Sequence, residues 1–210
     1  KHYWRRDYYP EYKHSRKKGR ETSSHDWDAI FVVLNAIKSE LKEFFPYKHL
    51  EVYGAEADDI IATLCKFSQT EKDRSRNEKI IIVSGDKDFI QLQKYVNVKQ
   101  YSPILKKYVD GHVPETYIKE HILKGDTSDG VPNVLSPDNT FTDGLRQRPL
   151  GKKKIETWLD IDIDDLQDEV KRNYQRNEKL IDLSKIPNEL EDEILTEFHG
   201  SPASQGGQNF

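Results

Sequence analysis

Three clusters of carboxylates, two of them beside predicted strand or helix ends, limit what this chain can fold into. The first is Gly54-Ala55-Glu56-Ala57-Asp58-Asp59-Ile60-Ile61, which follows a short extended run and opens a helical pattern. The second, Val83-Ser84-Gly85-Asp86-Lys87-Asp88-Phe89, ends the most apolar run of the chain. Residues two apart on an extended segment point the same way, so Asp86 and Asp88 are placed to face one site. Open parallel sheets bind ligands beyond the C-terminal ends of their strands. The third is Lys124-Gly125-Asp126-Thr127-Ser128-Asp129-Gly130-Val131-Pro132, where a spacing of three lets one turn aim Asp126 and Asp129 at one point. Taken singly, each has an ordinary explanation: acids cap helix starts, and Asp/Gly pairs make turns. Taken together, they are costly to assemble, because like charges a few ångström apart disfavour ionisation. Hard divalent cations relieve that repulsion. No Cys/His ligand pattern is present, which favours Mg²⁺, or Mn²⁺ in its place, over zinc. His2, His14, His25, His49, His112, His121 and His199 are scattered and read mostly as surface residues. Two such ions about 4 Å apart would clamp the attacking and leaving oxygens of a phosphodiester.

The pattern between the clusters alternates strand and helix. Residues 1–25 read as an arch or loop with short helical pieces. Asp26 is placed to cap a helix over 26–45, where Ile30, Val33, Leu34, Ile37 and Leu41 recur at helical spacing. A short strand is predicted at 49–53, a helix at 57–68, a charged loop at 71–78 and a helix at 87–93. The β-branched run at 79–84 reads as a buried parallel strand. Residues 96–109 alternate around Ser102-Pro103, as a hairpin does. A helix over 114–124 starts on Pro114. The Gly/Pro/Asn/Asp-rich stretch 130–151 reads as a long loop, followed by helices at 152–159, 164–182 and 188–198. The tail from Gly200 reads as disordered. The fold class is α/β with a parallel-rich central sheet and a helical C-terminal region.

Net charge is −4, with 33% charged and 35% hydrophobic residues. The charge is unevenly spread. Residues 1–20 hold eight Lys/Arg against two acids, whereas residues 158–197 are strongly acidic. A local basic segment with aromatic rings, Tyr8-Tyr9-Pro10-Glu11-Tyr12-Lys13-His14-Ser15-Arg16, suits phosphates and unpaired bases, or else a solvated surface. The same two readings apply to Arg146, Arg148, Lys152, Lys153 and Lys154 at a loop-to-helix boundary. No run of about 18 apolar residues is present for a membrane span. The single cysteine, Cys65, rules out an internal disulfide and fits a cytoplasmic setting.

Four segments carry a resemblance. Tyr9-Pro10-Glu11-Tyr12-Lys13 with Arg16, Ala55-Glu56-Ala57-Asp58-Asp59, Ser84-Gly85-Asp86-Lys87-Asp88-Phe89 and Gly125 to Pro132 occur in the order and approximate spacing of the 5′-nucleases. That family includes flap endonucleases and the 5′-nuclease domains of bacterial DNA polymerase I. Tyr3-Trp4-Arg5-Arg6-Asp7, Asn97 to Pro103 and Asn177 to Asp182 resemble its ribonuclease H group from T-even-type phages. The resemblance spans roughly residues 1–198. It implies a PIN-like nuclease domain at 1–124 with a helical arch at 1–25, a helix-hairpin-helix-like DNA-binding region at 125–199, and a tail at 200–210.

Carried over by position, the resemblance makes Glu56, Asp58, Asp86 and Asp88 ligands of a first Mg²⁺. It makes Asp126 and Asp129 ligands of a second, with Asp59 acting nearby through water. Lys13 and Arg16 would grip the scissile phosphate and stabilise its charge. Tyr12 would stack on a terminal base. Arg5 and Arg6, with Lys152, Lys153 and Lys154, would contact nucleic acid. The implied substrates are DNA and RNA–DNA duplexes with 5′ ends or flaps, and the implied role is primer removal during lagging-strand synthesis. A monomer is implied, in the host cytoplasm for a phage-encoded protein, with a single-strand-binding protein and a sliding clamp as partners.

Two departures accompany it. The family places one further Asp near the end of its first strand and another just before the arch. The second would precede Lys1, so the expectation is that this chain begins inside a larger protein and that residues 1–210 alone turn over weakly. The compact Gly-x-Gly hairpin after Pro132 is also interrupted, with eighteen residues before Gly151. The competing readings are a non-catalytic nucleic-acid-binding fragment and a PIN-domain endoribonuclease.

Overall fold

The computed structural model describes residues 2–70 and 78–200. The elements are α1 (Trp4–Tyr8), α2 (His14–Glu21), α3 (Trp27–Phe44), α4 (Ala57–Thr70), β1 (Ile80–Val83), a 3₁₀ helix (Lys87–Lys94), β2 (Val98–Ser102), β3 (Lys107–Val109), α5 (Pro114–Lys124), α6 (Lys152–Leu159), α7 (Asp168–Ile181) and α8 (Asn188–Gly200). Among the described residues the sheet runs β1-β2-β3. β1 pairs parallel to β2, with Ile82 opposite Gln100, and β2 pairs antiparallel to β3, with Tyr101 opposite Tyr108. The family-implied α/β class with a parallel pair and a helical C-terminal part is therefore the observed one.

Most elements follow their local signals. Asp26 Oδ1 accepts from Ala29 N at 3.0 Å and starts α3. Pro114 stands in the first turn of α5. The hairpin turns through Pro103 to Lys106, with Lys106 at φ 54°. Three expectations need correction, and one expected helix buries none of its residues. Residues 49–53 form no strand; one parallel bridge joins Tyr3 to Gly54, and Trp4 N donates to Gly54 O at 3.0 Å. β1 is buried only at Ile82, because Ile81 and Val83 point to the face that no described element covers. α3 has its cap and its apolar spacing, yet none of its residues is buried. It is a helix by local signals rather than by packing. The helix expected at 164–182 starts as a separate 3₁₀ turn at Ile163–Asp165, and α7 proper begins at Asp168. The charged loop lies largely outside the described residues, as does the tail, except that Gly200 closes α8.

The main core joins distant parts of the chain. Ala62 and Cys65 of α4, Ile82 of β1, Phe89 and Leu92 of the 3₁₀ helix, and Leu190 and Ile194 of α8 pack with Trp4 and Val52. A second cluster gathers Tyr9, Tyr12, Ile122, Val131, Leu180 and Ile181. A third, Leu123, Val134, Ile155 and Val170, holds α5, α6 and α7.

Polar side chains inside α7 position the loop after α5. Val170, Asn173, Asn177 and Leu180 share one helical face by their spacing of three and four. Asn173 donates to the carbonyls of Val134 and Ser136 at 3.0 and 3.3 Å. Asn177 donates to those of Ile122 and Pro132 at 2.8 and 2.9 Å. Arg176 Nη2 donates to the same Pro132 oxygen at 2.9 Å. Buried loop carbonyls are thus satisfied by side chains where no strand supplies partners.

Candidate metal centre

Three elements meet at the site: the start of α4, the 3₁₀ helix after β1, and the loop that leaves α5. Asp58, Asp88, Asp126 and Asp129 line one small cavity with Arg5 and Tyr12, backed by Val131, Leu180 and Ile181. The loop bearing Asp126 and Asp129 is tightly built. Asp126 Oδ1 accepts from Ser128 N at 2.8 Å and Ser128 Oγ at 2.7 Å. Asp126 and Val131 exchange backbone hydrogen bonds of 2.8 and 2.7 Å. Gly125 closes α5 at φ 67°, and a Cβ there would lie 2.5 Å from the Pro132 carbonyl.

The acids fall into two groups by how their charge is met. Glu56 and Asp59 are paired with cations. Asp59 is fully buried and accepts from Trp4 Nε1 at 3.2 Å, Arg5 Nη1 at 3.0 Å and Glu56 N at 2.9 Å. Arg5 also reaches Glu56 at 3.2 Å and donates through Nε to Leu180 O at 2.8 Å. Glu56 is in addition bound by Lys13 Nζ and by Tyr12 Oη, the latter at 2.8 Å. Burial opposes the Glu56 charge, but Lys13, Arg5 and Tyr12 hold its carboxyl below the usual value.

Asp58 and Asp88 are the other group. Burial, followed by the charges of Asp86 and Glu56, pushes the Asp58 carboxyl up to about 6. Burial, followed by Asp86, Asp126, Asp58 and Asp129, pushes Asp88 up to about 7. Asp86 lies at the cap of the 3₁₀ helix and accepts from Asp88 N at 3.0 Å. Lys13 and Arg5 pull the Asp58 value down only in part, so negative charge stays concentrated around Asp58 and Asp88. An all-oxygen set of this kind suits a hard divalent cation.

The basic segment folds onto these acids. Lys13 sits at φ 57°, a conformation uncommon outside glycine. Its N–H donates to Asp129 O at 2.7 Å, and its ammonium lies 3.3 Å from Asp129 Oδ2. Arg16 Nη2 reaches Asp129 Oδ1 at 2.6 Å and is half exposed. Tyr12 is buried, and its hydroxyl lies 2.8 Å from both Glu56 and Asp129. One hydrogen serves two carboxylates there, so this oxygen is tied to the acids. Arg6 donates to Tyr12 O at 3.0 Å. Arg5 is buried and fully engaged inside the fold. Lys152, Lys153 and Lys154 stand exposed on the first turn of α6, where Lys152 faces Glu156 at 3.7 Å and Lys154 lies over the Trp158 ring.

The structure thus joins Arg5, Tyr12, Lys13 and Arg16 with Glu56, Asp58, Asp59, Asp86, Asp88, Asp126 and Asp129, and leaves the α6 lysines on a separate surface. Spacing along the sequence missed one functional candidate. His121 is not a surface residue; its ring is wedged between Asp88, 3.3 Å from Nδ1, and Asp126, 3.8 Å from Nε2. Burial lowers its pKa against the pull of the acids. The signal lay in its position, in the last turn of a helix that ends at Gly125-Asp126.

Known proteins resemble this chain in sequence and in fold. Residues 1–122 match the family described as 5′-3′ exonuclease, N-terminal resolvase-like domain, and residues 112–207 match that described as T4 RNase H, C terminal. The ribonuclease H of Enterobacteria phage T4 is 37% identical over 205 residues, covering 94% of this chain and 66% of the relative. A 5′-3′ exonuclease of Buchnera aphidicola is 38% identical over 96 residues, covering 41% of this chain and 31% of the relative. The chain therefore spans just under two thirds of the first relative and less of the second. The fold matches the phage T5 D15 protein co-crystallized with metal ions, with a TM-score of 0.68 at 20% identity over 95% of this chain and 81% of that one. It also matches the T5 D15 flap endonuclease in a complex with DNA and metal ions, with a TM-score of 0.64 at 17% identity over 95% and 79%. By residues 1–122 and by the relatives that share them, the chain belongs to the family of the 5′-3′ exonuclease N-terminal resolvase-like domain.

Proposed function

We propose that this chain forms the metal-binding and phosphate-gripping part of a Mg²⁺-dependent 5′-nuclease that hydrolyses phosphodiester bonds at 5′ ends or flaps of DNA and RNA–DNA duplexes. The observation that carries the reading is the convergence of Asp58, Asp88, Asp126 and Asp129 on one cavity, where burial and mutual repulsion outweigh the pull of Lys13 and Arg5 on Asp58. Family membership and the T4 ribonuclease H relative support it.

In this reading Glu56, Asp58, Asp86 and Asp88 hold one divalent ion, and Asp126 and Asp129 hold another. When bound, the pair supplies Lewis acidity for attack by water and for departure of the 3′ oxygen. Lys13 and Arg16, now on Glu56 and Asp129, exchange these carboxylates for the scissile phosphate and stabilise its added charge. Asp59 and Arg5 brace the start of α4 and keep Glu56 in place. Tyr12 fixes the spacing between Glu56 and Asp129. Residues 1–25 act as the arch, residues 1–124 as the nuclease unit and residues 125–199 as the duplex-binding region, where Lys152, Lys153 and Lys154 receive backbone phosphates.

The test is Mg²⁺-dependent cleavage of a 5′-flap substrate and of an RNA·DNA duplex by the full-length protein containing this chain. Cleavage is expected to be lost in Asp86→Asn and in Asp88→Asn. Cleavage at wild-type rates by either variant would remove these residues from the centre. Binding of both substrates without hydrolysis by the wild-type protein would make it a nucleic-acid-binding protein instead.

A further inference from the structure

The acids that the proposed centre assigns to two ions do not stand alone. His121 projects from the last turn of α5 between Asp88 and Asp126. One ligand-capable atom from each of Asp88, His121 and Asp126 lies within 4.8 Å of the others. That triangle is composed of two oxygens and a nitrogen, unlike the remainder of the cavity.

The surroundings of the imidazole explain why it is not a simple hydrogen-bonding spacer. Nδ1 is buried and makes no hydrogen bond among the described residues, although Asp88 Oδ1 is 3.3 Å away. A neutral imidazole carries one N–H and one lone pair. Here both nitrogens face carboxylates, which are acceptors. At least one lone pair is therefore directed at negative oxygen, an arrangement that a shared cation relieves. Asp126 is preset for this. Ser128 occupies its Oδ1 through two hydrogen bonds, while Oδ2 is the oxygen nearest His121. The ring plane is fixed by Tyr117, one turn earlier on α5, whose ring packs edge-on at 5.8 Å and 66°.

We propose that His121 is a nitrogen donor to the divalent ion assigned to Asp126 and Asp129, with Asp88 reaching this ion as well as the first, which makes that part of the centre a mixed nitrogen–oxygen site. The inference rests on the reading of these carboxylates as a metal centre. Its chemical consequence is selectivity. Imidazole suits Mn²⁺, Co²⁺ and Zn²⁺ better than Mg²⁺, which takes oxygen ligands. The protein should therefore hold Mn²⁺ more tightly than an all-carboxylate centre does.

Pulsed electron paramagnetic resonance on the Mn²⁺-loaded full-length protein tests this directly, because a coordinated imidazole nitrogen modulates the Mn²⁺ echo. The expected result is imidazole-nitrogen modulation in the wild type, lost in His121→Gln, with the circular dichroism spectrum of the variant unchanged. Mn²⁺ affinity measured by calorimetry should fall roughly 10- to 100-fold in that variant, the range seen when groups that support a metal are removed. Mg²⁺ affinity should fall less, so that the preference for Mn²⁺ narrows. Mn²⁺ bound without nitrogen modulation, or modulation that survives in His121→Gln, would overturn the role of His121 and leave the carboxylate centre standing. Failure of Mn²⁺ to bind the wild type at all would overturn both. Should His121→Gln be misfolded, His121→Asn in the same measurement separates the same outcomes.

Discussion

Lys13 is joined to Asp129 twice, by its backbone N–H to the Asp129 carbonyl at 2.7 Å and by its ammonium to the Asp129 carboxylate at 3.3 Å. The main-chain tie holds the basic segment on the acidic loop whether or not the ammonium is engaged. Replacing Lys13 with Gly separates the two functions. Glycine relieves the φ of 57° and keeps the N–H, but it leaves the buried Glu56 carboxylate without its ammonium partner, so metal-free stability should fall by about 2–4 kcal/mol while the backbone tie persists. Cleavage in the proposed reaction should fall by about 100-fold or more, as when one charge-stabilising donor is removed. Single-turnover rates against melting temperature check both halves.

Asp58 and Asp88 make metal-free stability depend on pH in an unusual direction. Their folded pKa values, about 6 and about 7, lie above the ordinary aspartate value of 3.8. The folded state therefore binds protons more tightly than the unfolded state, and the two groups favour folding least when both are ionised. Below about pH 4 they cost nothing. Their cost grows as pH rises from about 4 and levels off above about 6 for Asp58 and about 7 for Asp88, at the order of a few kcal/mol for the coupled pair. Glu56, with its lowered pKa, acts oppositely: it contributes above its unfolded value and loses that contribution in acid. Melting temperature in chelator should thus decline between about pH 5 and pH 7 and level off above it, and excess Mg²⁺ should flatten the decline. A melting temperature that rises over this window in chelator would contradict the arrangement.

The same repulsion predicts a trade of stability for function. Asp88→Asn removes one of the crowded charges while keeping the side chain's size. In chelator this variant should be more stable than the wild type by about 1–3 kcal/mol at pH 8. In saturating Mg²⁺ the order should reverse, because the wild type gains binding energy that the variant lacks. Denaturant titrations in the two buffers provide the comparison.

Gly125 and Asn177 should be sensitive for different reasons. Gly125→Ala meets a positive φ and places Cβ 2.5 Å from the Pro132 carbonyl, so a loss of about 3–5 kcal/mol is expected. Asn177→Ala leaves the buried carbonyls of Ile122 and Pro132 without that donor, at a cost of about 2–3 kcal/mol. Urea unfolding of both variants tests the ranking.

Much of this layout was legible in the sequence, and the exceptions have physical causes. Asp26, Pro114 and the Ser102-Pro103 pair act on their immediate neighbours, so their helix starts and hairpin are found by local pattern alone. The acids were found because several carboxylates at element ends carry a cost that spacing reveals. His121 was missed because one histidine in a helix carries no such cost until the fold brings Asp88, 33 residues earlier, beside it. Asn173 and Asn177 look like polar surface until they are seen to share the face of Val170 and Leu180. The same apolar periodicity marks both α3 and α4 as helices, but only α4 contributes to the core, since periodicity gives the face of a helix and not what lies against it.

The packing of α8 on α4 has a consequence for synthesis. Ile194 is fully buried among residues that include Ala62 and Cys65, and Lys66 binds Glu191 at 2.6 Å. Arg5 takes the Leu180 carbonyl across 175 positions of sequence. A ribosome delivers α4 well over a hundred residues before α8, so the helix that follows Glu56 and carries Asp58 leaves the exit tunnel without the α8 side of its packing. Closure of these distant contacts is slow relative to local helix formation. A nascent chain cut short before Asn188 is expected to carry the acidic motif without the α8 packing that backs α4.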